Sequence, residues 1–260
     1  MTKVGAYAIL RIETLIFGTE SGPLEGLIEP WLLVLGLITI ALGTIGVLAS
    51  RRLAMLISHL VVISAGTILT AFGIGGSAAL SAGIYYTFQS TLVAAALFML
   101  TENVARTRGG YTDELRAGPM LPAANVLGGL FLVLALAVAG LPPLSGFVGK
   151  VLILESSLGT VSAPWVISTV LVTSLFTVMA LARAGSTLFF KTDTHAGEAT
   201  LPNAAYLVPV SALALISLLF VIYAQPIYSF AAAATEQILQ PDAYIETVLS
   251  AKPLPRAGDH

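Results

Sequence analysis

The sequence predicts an all-α fold: a polytopic bundle of transmembrane helices with about seven crossings, one of them discontinuous. Three observations predict it. Hydrophobic residues fill 57% of the 260 positions and charged residues only 10%, against about 25% charged in an ordinary soluble domain. Apolar runs near the length of a membrane span, ~20 residues, recur along the chain. One of them contains GLPPLSGFVGK at residues 140–150, where adjacent prolines and three glycines must interrupt a helix and a lysine follows within about one turn. A large soluble core is the bland alternative, and the run lengths argue against it.

The crossings follow in order. The first runs from residue 2 to about 17, the second over 31–48, the third over 53–72 and the fourth over 78–100. The fifth is expected to be broken: 121–140, then an interruption from Leu141 to Gly146 made by Pro142, Pro143 and Gly146, then 147–158. The sixth, 164–190, is longer than a perpendicular span needs and implies tilt. The seventh is 204–224. Residues 1–224 thus form the membrane part and 225–260 a C-terminal tail. In that tail YSFAAAATEQILQ, beyond Pro226, reads as a short amphipathic helix along the membrane surface, and 253–260 as disordered.

The connecting loops orient the bundle. The first holds Glu20, Glu25 and Glu29 without a Lys or Arg. Arg51 and Arg52 occupy the next turn, residues 73–77 are uncharged, and 105–120 carry Arg106, Arg108 and Arg116. Residues 159–163 are again uncharged, and Lys191 lies in the last loop. Basic residues therefore occur in every second loop. The positive-inside rule places those loops in the cytoplasm, with the N-terminal end cytoplasmic and the C-terminus outside. Residues 121–158 must then be one crossing, because two would move Lys191 to the outer face.

Composition also excludes. A net charge of −2 offers no basic surface for nucleic acid. With no cysteine there is no disulfide, thiolate metal site or thiol nucleophile. The three histidines do not pair at metal-ligand spacing, no phosphate loop follows a strand-like segment, and no cleavable signal peptide is evident. No metal or cofactor is expected.

The ionisable residues inside the apolar runs are the functional candidates. A bare ammonium at mid-bilayer costs ~3 kcal/mol on insertion scales. Lys150 lies in the first turn after the break, where helix-terminal amides disfavour a cation, so its amine is suited to take up and release a proton. The bland role is an ion pair with Glu155. Lys3 reads as an interfacial anchor or, if deeper, as a relay. His59 reads either as a proton relay or as a packing histidine with Ser58 and Ser64 as local partners. Gln89, Ser90 and Thr91 form a polar patch that serves helix packing or holds a water chain; Ser145 belongs with it at the break. Gly36, Gly43 and Gly46 read as packing, Glu102 and Arg183 as interfacial charges, and His195 and Glu198 as solvated surface.

Several stretches carry a resemblance. AGLPPLSGFVGK at 139–150 resembles the discontinuous helix of the antiporter-like subunits shared by respiratory complex I and the multisubunit Mrp cation/proton antiporters. TKVGAYAILR at 2–11, RRLAMLISHL at 51–60 and YYTFQSTLVAAALFML at 85–100 agree in the same order. STLVAAALF with the later RGGYTDELRAGP resembles the MrpD branch of these antiporters. The resemblance implies a membrane subunit of a monovalent cation (Na+ or K+):proton antiporter in a bacterial inner membrane, working with other membrane subunits. It implies proton movement along a line of Lys3 as connecting lysine, His59 as relay and Lys150 as terminal lysine. It also implies a fold of about fourteen crossings, of which this chain resembles the second half, so a missing N-terminal half and inactivity of the chain alone are expected. Gln89 stands where relatives often have histidine, and Ala94 where complex I relatives have lysine. The alternatives are a proton-pumping subunit of a complex I-like oxidoreductase or membrane hydrogenase, and a non-conducting scaffold.

Overall fold

The computed structural model describes residues 1–18, 24, 26–191, 193, 204–240, 245, 246 and 250. Glu20, Glu25, His195, Glu198 and residues 253–260 lie outside the described residues. The principal helices are α1 (Thr2–Ile16), α2 (Glu29–Ala49), α3 (Leu53–Ile74), α4 (Gly76–Thr107), α5 (Ala124–Ala139), α6 (Ser145–Ser157), α7 (Ala163–Phe189), α8 (Ala204–Ile222) and α9 (Ala224–Leu239). Among the described residues there is no β-strand, only an isolated antiparallel bridge between Arg52 and Glu114. The all-α class is as the sequence implies. Five helices, α2, α3, α4, α7 and α8, are long and apolar enough to cross a membrane, and α5 is apolar but shorter.

Two boundaries differ from the sequence reading. The loop expected at 73–77 shrinks to Gly75, whose φ of 75° is a conformation that glycine adopts without a Cβ penalty. The fourth helix continues seven residues past Leu100, through Thr107. Polar side chains carry that extension: Asn103 donates to the Met99 carbonyl at 2.9 Å, Thr107 to the Asn103 carbonyl at 2.7 Å, and Arg106 pairs with Glu102 four residues earlier.

Helices α2 and α3 form a tight antiparallel hairpin because α2 presents small residues to its partner. A Cβ at Gly36 would strike Thr70, one at Gly43 would meet Ile63 at 2.7 Å, and one at Gly46 would collide with the His59 ring. Helix α4 lies at the centre and touches α3, α5, α6, α8 and α9. It buries Val93, Ala96, Leu97, Leu100 and Val104 in the larger apolar core. Helix α9 is more than a surface appendage. It buries Ala231, Thr235 and Ile238, and Ser81 of α4 donates to Thr235 Oγ1 at 3.1 Å.

Helix α7 packs against both α5 and α6. Its C-terminal half packs on α5, with Phe189 beside Phe131 at 5.6 Å between ring centroids and Gly185 against the same ring. Its middle reaches α6 through Ser174 and Lys150. One continuous helix thus contacts both pieces, α5 through its C-terminal half and α6 through its middle.

Candidate functional site

The break is built by residues that cannot continue a helix. Helix α5 closes at Gly140, which is left-handed at φ 79° and ψ 44°, and the amides of Gly140 and Leu141 both turn back to the Leu136 carbonyl at 3.1 Å. Pro142 and Pro143, joined by a cis peptide bond, have no amide hydrogen to offer. Leu144 is extended, and α6 starts at Ser145. Leu136 keeps its usual donor, whereas the carbonyls of Ala137, Val138 and Ala139 lose their i+4 amides.

Lys150 takes one of them. Its ammonium, in a side chain only 8% exposed, donates to the Ala139 carbonyl at 2.6 Å and to Ser174 Oγ at 2.9 Å. The side chain lies against Gly140, where a Cβ would sit 2.7 Å from Lys150 Cδ. Glu155, the bland partner expected from sequence, is exposed and is not bonded to Lys150. The carbonyl at the C-terminal end of α5 is a favourable partner for the cation. The ammonium is thus held between the last turn of α5 and the middle of α7.

The other break residues are also in contact. Ser145 shares a hydrogen bond with Ser217 of α8 at 3.0 Å, with both side chains buried. Gly146 lies under the Ala137 carbonyl, with which a Cβ would collide, and that Cβ would lie 3.2 Å from Gln89 Nε2 of α4. Gln89 is 2% exposed, and its Nε2 has no hydrogen-bond partner among the described residues.

Next to Gln89, Ser90 holds Lys3. The half-buried ammonium of Lys3 donates to Ser90 Oγ at 2.7 Å, and the hydroxyl donates to the Tyr86 carbonyl at 2.5 Å. Lys3 also borders a cavity of about 1430 Å³ with Tyr7, Phe72, Phe88, Thr91 and Phe220. Thr91 satisfies its hydroxyl on the Thr87 carbonyl at 2.6 Å, as a helix-packing threonine does. Thus Lys3 is held on α4 at Ser90, Lys150 is held between the end of α5 and α7, and Gly146 of α6 is the break residue that meets Gln89.

His59 lies elsewhere. Its Nδ1 is 2.8 Å from the Met55 carbonyl and 3.2 Å from Ser50 Oγ, and its ring rests on Gly46. The serines expected as partners do not serve it: Ser58 and Ser64 donate to the Ala54 and Val61 carbonyls of their own helix. The described bonds of His59 lead to neither lysine. Arg183 closes the same end of α2, donating to the Leu48 and Ser50 carbonyls at 3.0 and 3.3 Å.

Sequence reasoning missed Ser174 and Ser217, since a lone serine in an apolar helix gives no signal of its neighbours. It counted Arg108 only as a basic loop residue and missed Asp113; the two organise the loop after α4. Arg108 is buried at 2% exposure and donates to the Glu114 and Arg116 carbonyls, both at 2.6 Å.

Fold and site together define a multi-pass helical membrane protein with a buried lysine bound across a broken helix. The chain belongs to the family described as NADH:quinone oxidoreductase/Mrp antiporter, TM, which matches residues 1–177. Among curated relatives, it is 34% identical to the D component of a probable K(+)/H(+) antiporter of Rhizobium meliloti (strain 1021), covering 99% of this chain and 52% of that protein. It is 32% identical to the D component of a Na(+)/H(+) antiporter of Bacillus subtilis (strain 168), covering 96% and 50%. The chain therefore spans about half the length of the curated relatives it matches. A chain in the structure of the Mrp complex from Dietzia sp. DQ12-45-1b superposes with a TM-score of 0.77 at 21% identity, over 95% of this chain and 53% of the other. One in respiratory complex I from Thermus thermophilus with bound NADH gives 0.73 at 22%, over 91% and 50%. These two likenesses describe the fold.

Proposed function

We infer that this chain is part of a membrane subunit of a multisubunit monovalent cation:proton antiporter, a transporter subunit and not an enzyme. In this reading protons move laterally through the bundle between Lys3 and Lys150. The observation that carries it is a pair of ammonium groups held by polar groups inside the bundle: Lys3 on Ser90 of α4, and Lys150 across the break on Ala139 and Ser174. Intramembrane lysines are costly and are kept where they carry charge. Lys150 exchanges a proton with the outer side, and Lys3 passes it onward. The names of the curated relatives support cation:proton exchange as the overall reaction. His59, bonded to Ser50 and Met55, serves as a relay only toward the basic, cytoplasmic end of α2 and α3.

The alternation of basic loops supports a bacterial inner membrane, about seven crossings over residues 1–224, a cytoplasmic N-terminal end and an outer C-terminus. Other membrane subunits, and the remaining length of a full-size relative, complete the path beyond Lys3. The test is Lys150→Ala in the complete antiporter, assayed as cation-driven proton flux in everted vesicles. Flux falling to background is expected; flux equal to the parent's in an assembled complex sinks the reading.

A further inference from the structure

Two acidic side chains are buried among the described residues, Asp113 and Glu13. Asp113 is met by the Arg52 guanidinium and the Ala54 amide. Glu13 of α1 has no such match. It is 8% exposed, and its Oε2 is buried with no hydrogen-bond partner among the described residues. No ion pair among them engages it. A carboxylate taken out of water without a partner is strongly disfavoured, so such a group holds a proton or a cation.

Its place follows from the helix. Ala6, Leu10 and Glu13 are spaced four and three residues apart, on the face that α1 buries. That helix packs on α3 and α9. The hydroxyl next to Glu13, on Thr14, donates to the Arg11 carbonyl at 3.3 Å. The surrounding helices bring few ionisable groups. Helix α1 itself carries Lys3, bonded to Ser90, with Tyr7 and Arg11. Helix α3 carries only His59, held at the α2–α3 turn, and α9 carries Tyr228 and an exposed Glu236. Helix α2 carries Glu29, whose charge acts on Glu13. Glu29 opens α2 against the α3–α4 turn, where a Cβ at Gly75 would lie 2.9 Å from its Oε1 and 3.0 Å from its Oε2. Two like charges that act on each other are relieved when a proton or a cation neutralises one.

We propose that Glu13 is an exchange site for a monovalent cation, its carboxyl taking a proton or a sodium or potassium ion in turn, with Glu29 as the second carboxylate of the site. The proposal rests on the antiporter reading of the chain and gives it a cation-binding group apart from the lysines. The step balances. As the cation arrives, the O–H bond of the carboxylic acid breaks, its electron pair stays on the carboxylate, and the proton leaves to water. The charge of the site is unchanged, and nothing is oxidised or reduced. Glu13 supplies one buried negative charge, whereas Glu29 is partly exposed. One buried charge is balanced by one positive charge, which favours a monovalent ion over a divalent one.

The experiment uses the complete antiporter, purified in detergent and weakly buffered, with assembly checked on a native gel. Proton release on adding sodium or potassium chloride is read with a pH dye, against choline chloride as the blank. Glu13→Gln is expected to release one proton fewer per copy of the subunit, and Glu13→Asp to release as many as the parent. Glu29→Gln is expected to need several-fold more cation for half of the release; an unshifted midpoint removes Glu29 from the site. Equal release from the parent and an assembled Glu13→Gln overturns the proposal. So does release by magnesium and not by monovalent ions, or a map of the complete complex in which a lysine or arginine is bonded to Glu13. Lys150→Ala separates the two readings. Release is expected to persist there while flux is lost; release lost with the lysine assigns the proton to Lys150 and overturns the site. Parental flux in Lys150→Ala overturns the lysine line, whatever Glu13 does. If Glu13→Gln does not assemble, the infrared difference between sodium-loaded and choline-loaded complex decides. Loss of a protonated-carboxyl band that shifts in Glu13→Asp is expected, and no such band overturns the proposal.

Discussion

Lys150 of α6 reaches back across the helix break and donates to the Ala139 carbonyl of α5 at 2.6 Å. The two features that stand out in the sequence, a broken helix and an intramembrane lysine, are therefore one structure. The prolines release a carbonyl, and the lysine satisfies it. Lys150→Arg tests whether charge alone suffices. Arginine keeps a donor for Ala139 but does not release its proton. Flux at least tenfold below the parent's, in an assembled complex, is expected. Undiminished flux shows that position 150 need not exchange a proton.

Gly140 supports the same contact from the other side. A substitution there must adopt a φ of 79° and place a Cβ 2.7 Å from Lys150 Cδ. The left-handed backbone alone costs a non-glycine residue roughly 1–2 kcal/mol. Gly140→Ala is expected to lower the melting temperature of the detergent-solubilised complex and to reduce flux together, because the strain and the displaced ammonium share one site. Gly129, on α5, has nothing within 4 Å of an added Cβ, so Gly129→Ala is the control that should change neither.

Much of this was legible in the sequence, and particular residues show why. The PP of Pro142 and Pro143 forces a break in any helix, so its place could be read from covalent structure alone. Helix lengths followed from apolar runs, except where side chains rather than hydrophobicity carried the helix, as at Asn103 and Thr107. What could not be read was which polar group meets which. The serine that receives Lys150 lies 24 residues away and the one that receives Lys3 lies 87 away, and no periodicity encodes such pairs. His59 illustrates the limit: its partner Ser50 lies before the helix, across the α2–α3 turn, and not on the helix where neighbouring serines suggested it.

Ser90 is the acceptor that places Lys3 against α4. Ser90→Ala removes it and leaves an ammonium in an apolar wall beside Phe88 and Phe72. Flux is expected to fall several-fold with the complex still assembled, since alanine fits the helix and the Tyr86 carbonyl retains its place in the helix ladder. Ser90→Thr returns a hydroxyl at the same position and should recover most of the loss. Equal loss in both variants would assign Ser90 to packing.

Asp113 governs how the loop after α4 is fastened to the start of α3. Its carboxylate accepts from Arg52 Nε at 2.8 Å, from Arg52 Nη2 at 2.6 Å and from the Ala54 amide at 2.9 Å. Burial alone would push this carboxyl up, but the Ala54 amide and then the Arg52 guanidinium hold it below its usual range. Because the folded value is depressed, the stabilisation is fully present above the unfolded value of ~3.9 and is lost as pH falls through the lower folded value. Asp113→Asn exchanges an acceptor for an amide that cannot serve both donors. It should destabilise by about 1–3 kcal/mol at pH 7, the usual penalty for a buried group left without its partner. Thermal melting in detergent against pH checks the sign. The gap between parent and variant should be constant from pH 8 to 5 and narrow only below about pH 4. A gap that closes near neutrality, or one that stays unchanged well below pH 4, would show that the carboxylate is not what fastens the loop.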